Sequence, residues 1–180
     1  MSQSTRSLLQ SFDTDVTDEV WRWFDIWQCE GLFDRVAVRF SARMFRSVGR
    51  CYPADRELVL ASAVQALGRA DVLDILSHEL AHLVAFERFG RRIRPHGHEW
   101  RALVQATGHT ASVRCDNPRV IAALDHVRRR RRRFLHVCPH CRAERAAARR
   151  VTRWRCGACY ELGRDGKLQI IEVDPSVDRR

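Results

Sequence analysis

No run of apolar residues in this chain approaches the roughly 18 that a membrane-spanning helix needs. No early apolar stretch has the length of a signal peptide either, so the expected compartment is the cytoplasm, with no membrane partner. A disulfide framework is also missing. Seven cysteines cannot all pair, and four of them stand as two CxxC units, a pattern that points to metal binding under reducing conditions. Acidic residues are nearly absent from one region: between Arg128 and Arg155 there is one acid, Glu144, against twelve arginines. That block accounts for the whole net charge of +10 and leaves the rest of the chain close to neutral.

What remains is ample for a core. With 180 residues, 45% of them hydrophobic, a single domain can bury about 70% of its unfolded surface. Residues 1–16 are polar and read as a flexible tail. Val20, Trp23, Phe24 and Trp27 recur at helical spacing from about Thr17 to Gly31. Arg35 to Phe40 alternates like a half-buried strand, and Met44–Val48 and Glu57–Leu60 look like two more, with Gly49 and Pro53 in the turns. A short helix is expected from Ser62 to Leu67 and a long one from 72 to 88, capped by Asp71 and ended by Gly90. Pro95 precedes another helical run that ends near Gly108, and Asn117-Pro118 opens a last one.

The long helix carries His78-Glu79-x-x-His82. A turn of 100° per residue places positions 78 and 82 on one face, where two imidazoles can aim at one ion. Glu79 sits beside that face, close enough to hold a metal-bound water. Chance weighs against coincidence, since this composition in random order gives the pattern about 0.02 times. The surrounding residues are apolar on nearly every side, so the polar groups would be buried, at a desolvation cost that a metal removes. A third ligand leaves one tetrahedral position open, the mark of a catalytic zinc. His96 and His98 both offer an imidazole, and spacing alone does not choose between them. Trp100 reads as a packing residue that walls the site.

Cys138, Cys141, Cys156 and Cys159 make C-x2-C, fourteen residues, C-x2-C. Four thiolates so spaced suit a closed structural zinc at two knuckles, and metal binding would supply most of the folding free energy of so small a module. His136 and His140 flank the first knuckle as bystanders, and Cys29, Cys51 and Cys115 read as ordinary reduced thiols. Six consecutive arginines, Arg128, Arg129, Arg130, Arg131, Arg132 and Arg133, precede the knuckles. Together with Arg149, Arg150, Arg153 and Arg155 they point to nucleic acid, because guanidinium groups bind phosphate oxygens and release counterions. Trp154 and Tyr160 could add stacking on bases. DNA is the expected partner; RNA carries the same phosphates.

These motifs together resemble the SprT family of zinc metallopeptidases, whose eukaryotic members are the Spartan proteases. The resemblance rests on Ser41 to Leu60 with Gly49 and Cys51, on His78-Glu79-Leu80-Ala81-His82, on His96-Gly97-His98-Glu99-Trp100, similar to the family's H-G-x-E-[WF] element, and on the paired CxxC ribbon. It implies His78, His82 and His96 as ligands of a catalytic zinc, with Glu79 as general base acting on its water. It also implies an α+β, minigluzincin-like fold, in which a small antiparallel sheet is joined by helices carrying HExxH and followed by a small zinc ribbon with four cysteine ligands. The implied activity is proteolysis stimulated by DNA and directed at proteins bound or crosslinked to it, with association to the nucleoid in a bacterium. The expected organisation is a tail at 1–16, a metallopeptidase domain at 17–127, an arginine-rich linker at 128–136, the ribbon at 137–173 and a second tail at 174–180. The rival reading is a nucleic-acid-binding ribbon protein whose metallopeptidase half is inactive; the intact Glu79 argues against it, because a structural zinc needs no base.

Overall fold

The computed structural model describes residues 6–130 and 134–173. Arg131, Arg132, Arg133 and the tail at 174–180 lie outside the described residues. The chain divides into two compact units, 1–124 and 125–180.

The first unit begins earlier than its polar composition predicts. Strand β1 (Arg6–Ser7) pairs antiparallel with β2 (Ala37–Ser41), and a single turn, α1 (Leu8–Ser11), leads to α2 (Thr14–Ile26). The first helix therefore starts at Thr14, not Thr17, because the Asp13 carboxylate caps it by accepting the Val16 N–H at 2.9 Å. Val16, Val20, Trp23, Phe24 and Trp27 line its buried face. The short α3 (Glu30–Phe33) follows.

The sheet is mixed, where the resemblance implied an antiparallel one. Its order is β1, β2, β4 (Glu57–Ala61), β3 (Gly49–Tyr52), and β2 runs parallel to β4. The chain leaves β2, crosses to the far edge, and returns through an antiparallel hairpin of β3 and β4, so β4 repeats the direction of β2. Met44–Val48, expected as a strand, is the crossing, and the strand lies just after it at Gly49–Tyr52. Pro53 opens a 3-10 turn at Pro53–Asp55, closed by Arg56 in the left-handed region at φ 50°.

A second 3-10 turn (Ser62–Ala66) precedes α4 (Arg69–Phe89), which Gly90 ends at φ 75°. Asp71 does not cap α4. It lies in the first turn, buried, while Gly68 occupies the cap position without a side-chain bond. Leu76, Leu80, Ala81, Leu83 and Val84 of α4 are wholly buried with Trp23, Trp27, Leu58 and Leu60, the apolar centre of this unit. Helix α5 (His98–Ala106) is tied to α2 by the Trp27 indole, which donates to the Leu103 carbonyl at 3.0 Å. Helix α6 (Pro118–Arg130) runs through Arg128, Arg129 and Arg130, so this much of the expected linker is helical.

The second unit holds an antiparallel sheet ordered β6 (Glu144–Ala147), β5 (Phe134–Val137), β7 (Gln169–Glu172), with one short helix, α7 (Gly157–Glu161). No helix among the described residues is long and apolar enough to cross a membrane.

Candidate metal centres and a buried carboxylate

Three imidazoles converge in the first unit. Helix α4 supplies His78 and His82 one turn apart, and the turn before α5 supplies His96. Their Nε2 atoms stand 3.3, 3.2 and 3.4 Å from one another. A tetrahedral ion with nitrogen ligands at zinc distances requires about 3.3 Å between them. Three neutral rings cannot satisfy such a triangle by hydrogen bonding alone, because each donated proton serves only one pair. The donor set therefore fits a divalent cation, and it is one of two groups among the described residues with that property.

The surroundings keep the rings neutral and aimed. Burial pushes His82 down to about 3, helped by His78 and His96, and burial also lowers His78 and His96. The Ser112 carbonyl lies 3.2 Å from His78 Nδ1. A carbonyl only accepts, so Nδ1 carries the proton and Nε2 presents its lone pair. Trp100, fully buried, floors the site: its ring stacks on His82 at 5.3 Å and meets His78 and His96 edge-on, and its indole donates to the His78 carbonyl at 3.1 Å. His98 is outside this cluster. Its side chain is 89% exposed and contacts the Glu99 carboxylate at 3.2 Å, which settles the geometric choice in favour of His96.

Glu79 is buried beside the triangle, and burial raises its carboxyl to about 7, although the Cys51 N–H and the Arg50 charge pull it down. The carboxylate rests against β3. A Cβ built on Gly49 would stand 2.5 Å from Glu79 Oε1 and 2.7 Å from its Cδ. Only glycine leaves room there. The sequence marked Gly49 as a turn residue; its role as the floor of the carboxylate pocket depends on the register Gly49↔Leu60 and had no local signal.

The second centre gathers Cys138, Cys141, Cys156 and Cys159. The Cys138 and Cys159 sulfurs are 3.6 Å apart and those of Cys141 and Cys156 3.4 Å. Tetrahedral zinc thiolates stand about 3.8 Å apart. The first knuckle is closed by Arg142 in the left-handed region, its N–H donating to the Cys138 carbonyl at 3.0 Å. The second leads into α7, with the Cys156 N–H donating to the Gly166 carbonyl at 2.8 Å. His136 is more than a bystander here. It is fully buried, and its Nε2 accepts the Val151 N–H at 3.0 Å.

Of the arginines proposed for nucleic acid, the side chains of Arg128, Arg149, Arg150, Arg153 and Arg155 fall within the described residues. Arg149, Arg150, Arg153 and Arg155 are exposed on the ribbon, and Arg128 is exposed on α6 with an ion pair to Asp125 at 3.0 Å. Trp154 is already engaged: the Arg145 guanidinium lies over its ring at 3.7 Å and His136 packs beside it at 4.8 Å. Tyr160, in contrast, is 65% exposed.

Comparison with known proteins follows the same residues. A model of the SprT-like family matches residues 10–125. Protein SprT of Pseudomonas fluorescens strain SBW25 is 36% identical over 64 residues, 36% of this chain and 35% of the relative. Protein SprT of Pseudomonas putida strain W619 is 33% identical over 93 residues, 48% and 53% of the two chains. The counterpart in Pseudomonas paraeruginosa strain PA7 is 39% identical over 66 residues, 37% and 36%. The chain thus spans about a third to a half of the length of the curated relatives it matches. No solved structure matches significantly. With its imidazole triangle inside the matched region, the chain belongs to the SprT-like family.

Proposed function

We propose that this protein is a zinc metalloendopeptidase that cleaves proteins bound or crosslinked to DNA. The observation that carries the reading is a buried carboxyl, Glu79, packed against Gly49 of β3 on the helix that presents two of three imidazoles whose Nε2 atoms stand 3.2 to 3.4 Å apart. His78, His82 and His96 would hold the zinc, and Cys138, Cys141, Cys156 and Cys159 a second, structural one. Zinc held at the imidazoles would supply Lewis acidity, acidifying water and polarising a carbonyl oxygen. Glu79 takes the proton of the attacking water and returns it to the leaving amine. The Cys51 N–H steadies the carboxylate during both transfers. Strand β3 is one of the two edges of the sheet and the one that carries Gly49 against Glu79, which favours an extended substrate added there as a further strand. Flexible polypeptide meets that requirement better than a folded domain. The exposed arginines of the ribbon favour phosphate binding and so a substrate delivered on nucleic acid.

The test is cleavage of a DNA-bound protein by the full-length chain, with and without DNA. Glu79→Gln should keep both metals and cleave about 100- to 10,000-fold more slowly. Equal rates for parent and variant would exclude Glu79 as the base. Salt-sensitive DNA binding with no cleavage by the parent would favour the non-catalytic ribbon protein instead.

A further inference from the structure

Helix α4 has a polar row that its imidazoles do not explain. Asp71, Asp74, His78 and His82 follow at spacings of three and four and share one face. The three N-terminal members of this row are each gripped by the segment after α5. Buried Asp71 accepts Asn117 Nδ2 at 2.6 Å and an Arg119 guanidinium N–H at 2.9 Å. Asp74 meets His109 Nδ1 at 2.5 Å, and the Ser112 carbonyl meets His78 Nδ1 at 3.2 Å. Beside the row, the Ser77 hydroxyl donates to Thr107 Oγ1 at 3.0 Å, since Thr107 uses its own proton on the Val104 carbonyl.

Residues 107–117 contain no helix or strand. Their backbone has no ladder to fix it, so its position depends on these side-chain ties together with the His109 ring against Trp23 and Ala111 against the core. The ties lie on both sides of Ser112, at His109 before it and at Asn117 and Arg119 after it. We propose that residues 107–119 form a clasp on α4 whose work is to orient His78: Asp71 with Asn117 and Arg119, and Asp74 with His109, hold the Ser112 carbonyl where it fixes the Nδ1–H tautomer. Asp71, Asp74, His109, Asn117 and Arg119 are positioning residues that touch neither the ion nor the substrate. The effect on metal rests on the metal site proposed above; the effect on the imidazole does not.

The test uses the full-length chain carrying Asp74→Ala, Asn117→Ala, and both. The Asp74 side chain is 61% exposed, so its removal spares the fold. Glu87→Ala serves as a control, since it breaks the ion pair to Arg56 on the same helix but outside the clasp. Cobalt(II) at four thiolates absorbs strongly by charge transfer, whereas at imidazoles it gives only weak ligand-field bands, so the two centres are read separately. Chelator competition should show cobalt at the imidazoles held about 10- to 100-fold more weakly in the double variant. The ribbon centre, and both centres in Glu87→Ala, should stay at the parental affinity. In the metal-free protein, ring proton–nitrogen correlations should show His78 as the Nδ1–H tautomer in the parent and as a mixture in Asp74→Ala and the double variant. A His78 tautomer unchanged in both overturns the clasp. Absence of the imidazole cobalt bands in the parent overturns the metal site instead, and the tautomer then decides the clasp alone.

Discussion

Gly49 and Glu79 occupy adjoining space, and the chemistry proposed for the carboxylate depends on that contact. Gly49→Ala would place a methyl carbon 2.5 Å from Oε1, so either β3 or the carboxylate must move. Displacement of this size should slow turnover by about 100-fold or more while the imidazoles keep their metal, as measured by kinetics alongside metal analysis. Glu79 also makes a prediction about stability. In the metal-free protein its folded-state value of about 7 lies above the ordinary 4.5, so the folded state retains a proton that the unfolded chain releases between those limits. Its contribution is therefore fully present below about pH 4.5 and lost as pH rises through about 7. Glu79→Gln should be more stable than the parent by about 3 kcal/mol at pH 8 and show no advantage at pH 4, read from denaturant melts of the metal-free proteins. His82 titrates in the opposite sense: with its value lowered to about 3, stability present above about 6.5 is lost as pH falls.

At the scale of elements, α4 was legible because apolar residues, the HExxH pair and a terminating Gly90 all agree locally. The edge strand was not. Met44–Val48 has the apolar content of a strand, yet Gly49–Tyr52 pairs with Glu57–Leu60, because only a glycine at the start of that pairing clears Glu79. Asp71 misleads for a related reason. A carboxylate near a helix start suggests a cap, whereas here Arg119, distant in sequence, holds it below the usual carboxylate range together with Asn117. The ribbon is a case in which spacing did suffice, since two CxxC units can converge only by closing a knuckle apiece. Its strands are short and its apolar interior small, so Cys159→Ala should lower the zinc content by one per chain and remove amide protection across β5 and β7, as followed by hydrogen exchange.

For the whole molecule, the charge asymmetry separates the two units: the ribbon unit carries the positive excess and the SprT-like unit the carboxylate and imidazoles. DNA binding should accordingly weaken with salt. Replacing Arg149, Arg150, Arg153 and Arg155 by Gln should flatten the dependence of log affinity on log salt by about 0.7 to 0.9 for each phosphate no longer neutralised, measured by fluorescence anisotropy. An unchanged slope would place the phosphate-binding groups elsewhere. By itself the sequence determined the donor chemistry, both CxxC knuckles, the helix that presents His78 and His82, and the charge block, since each is written in spacing or composition over a few turns. Tertiary structure brought His96 rather than His98 into the triangle, as the family resemblance had implied though spacing had not, and set the expected packing residue Trp100 beneath it; it alone decided that Gly49 borders Glu79 and that the segment after α5 reaches His78. Those are meetings between residues distant along the chain, and no local periodicity encodes which of them occur once the sheet and α4 have packed.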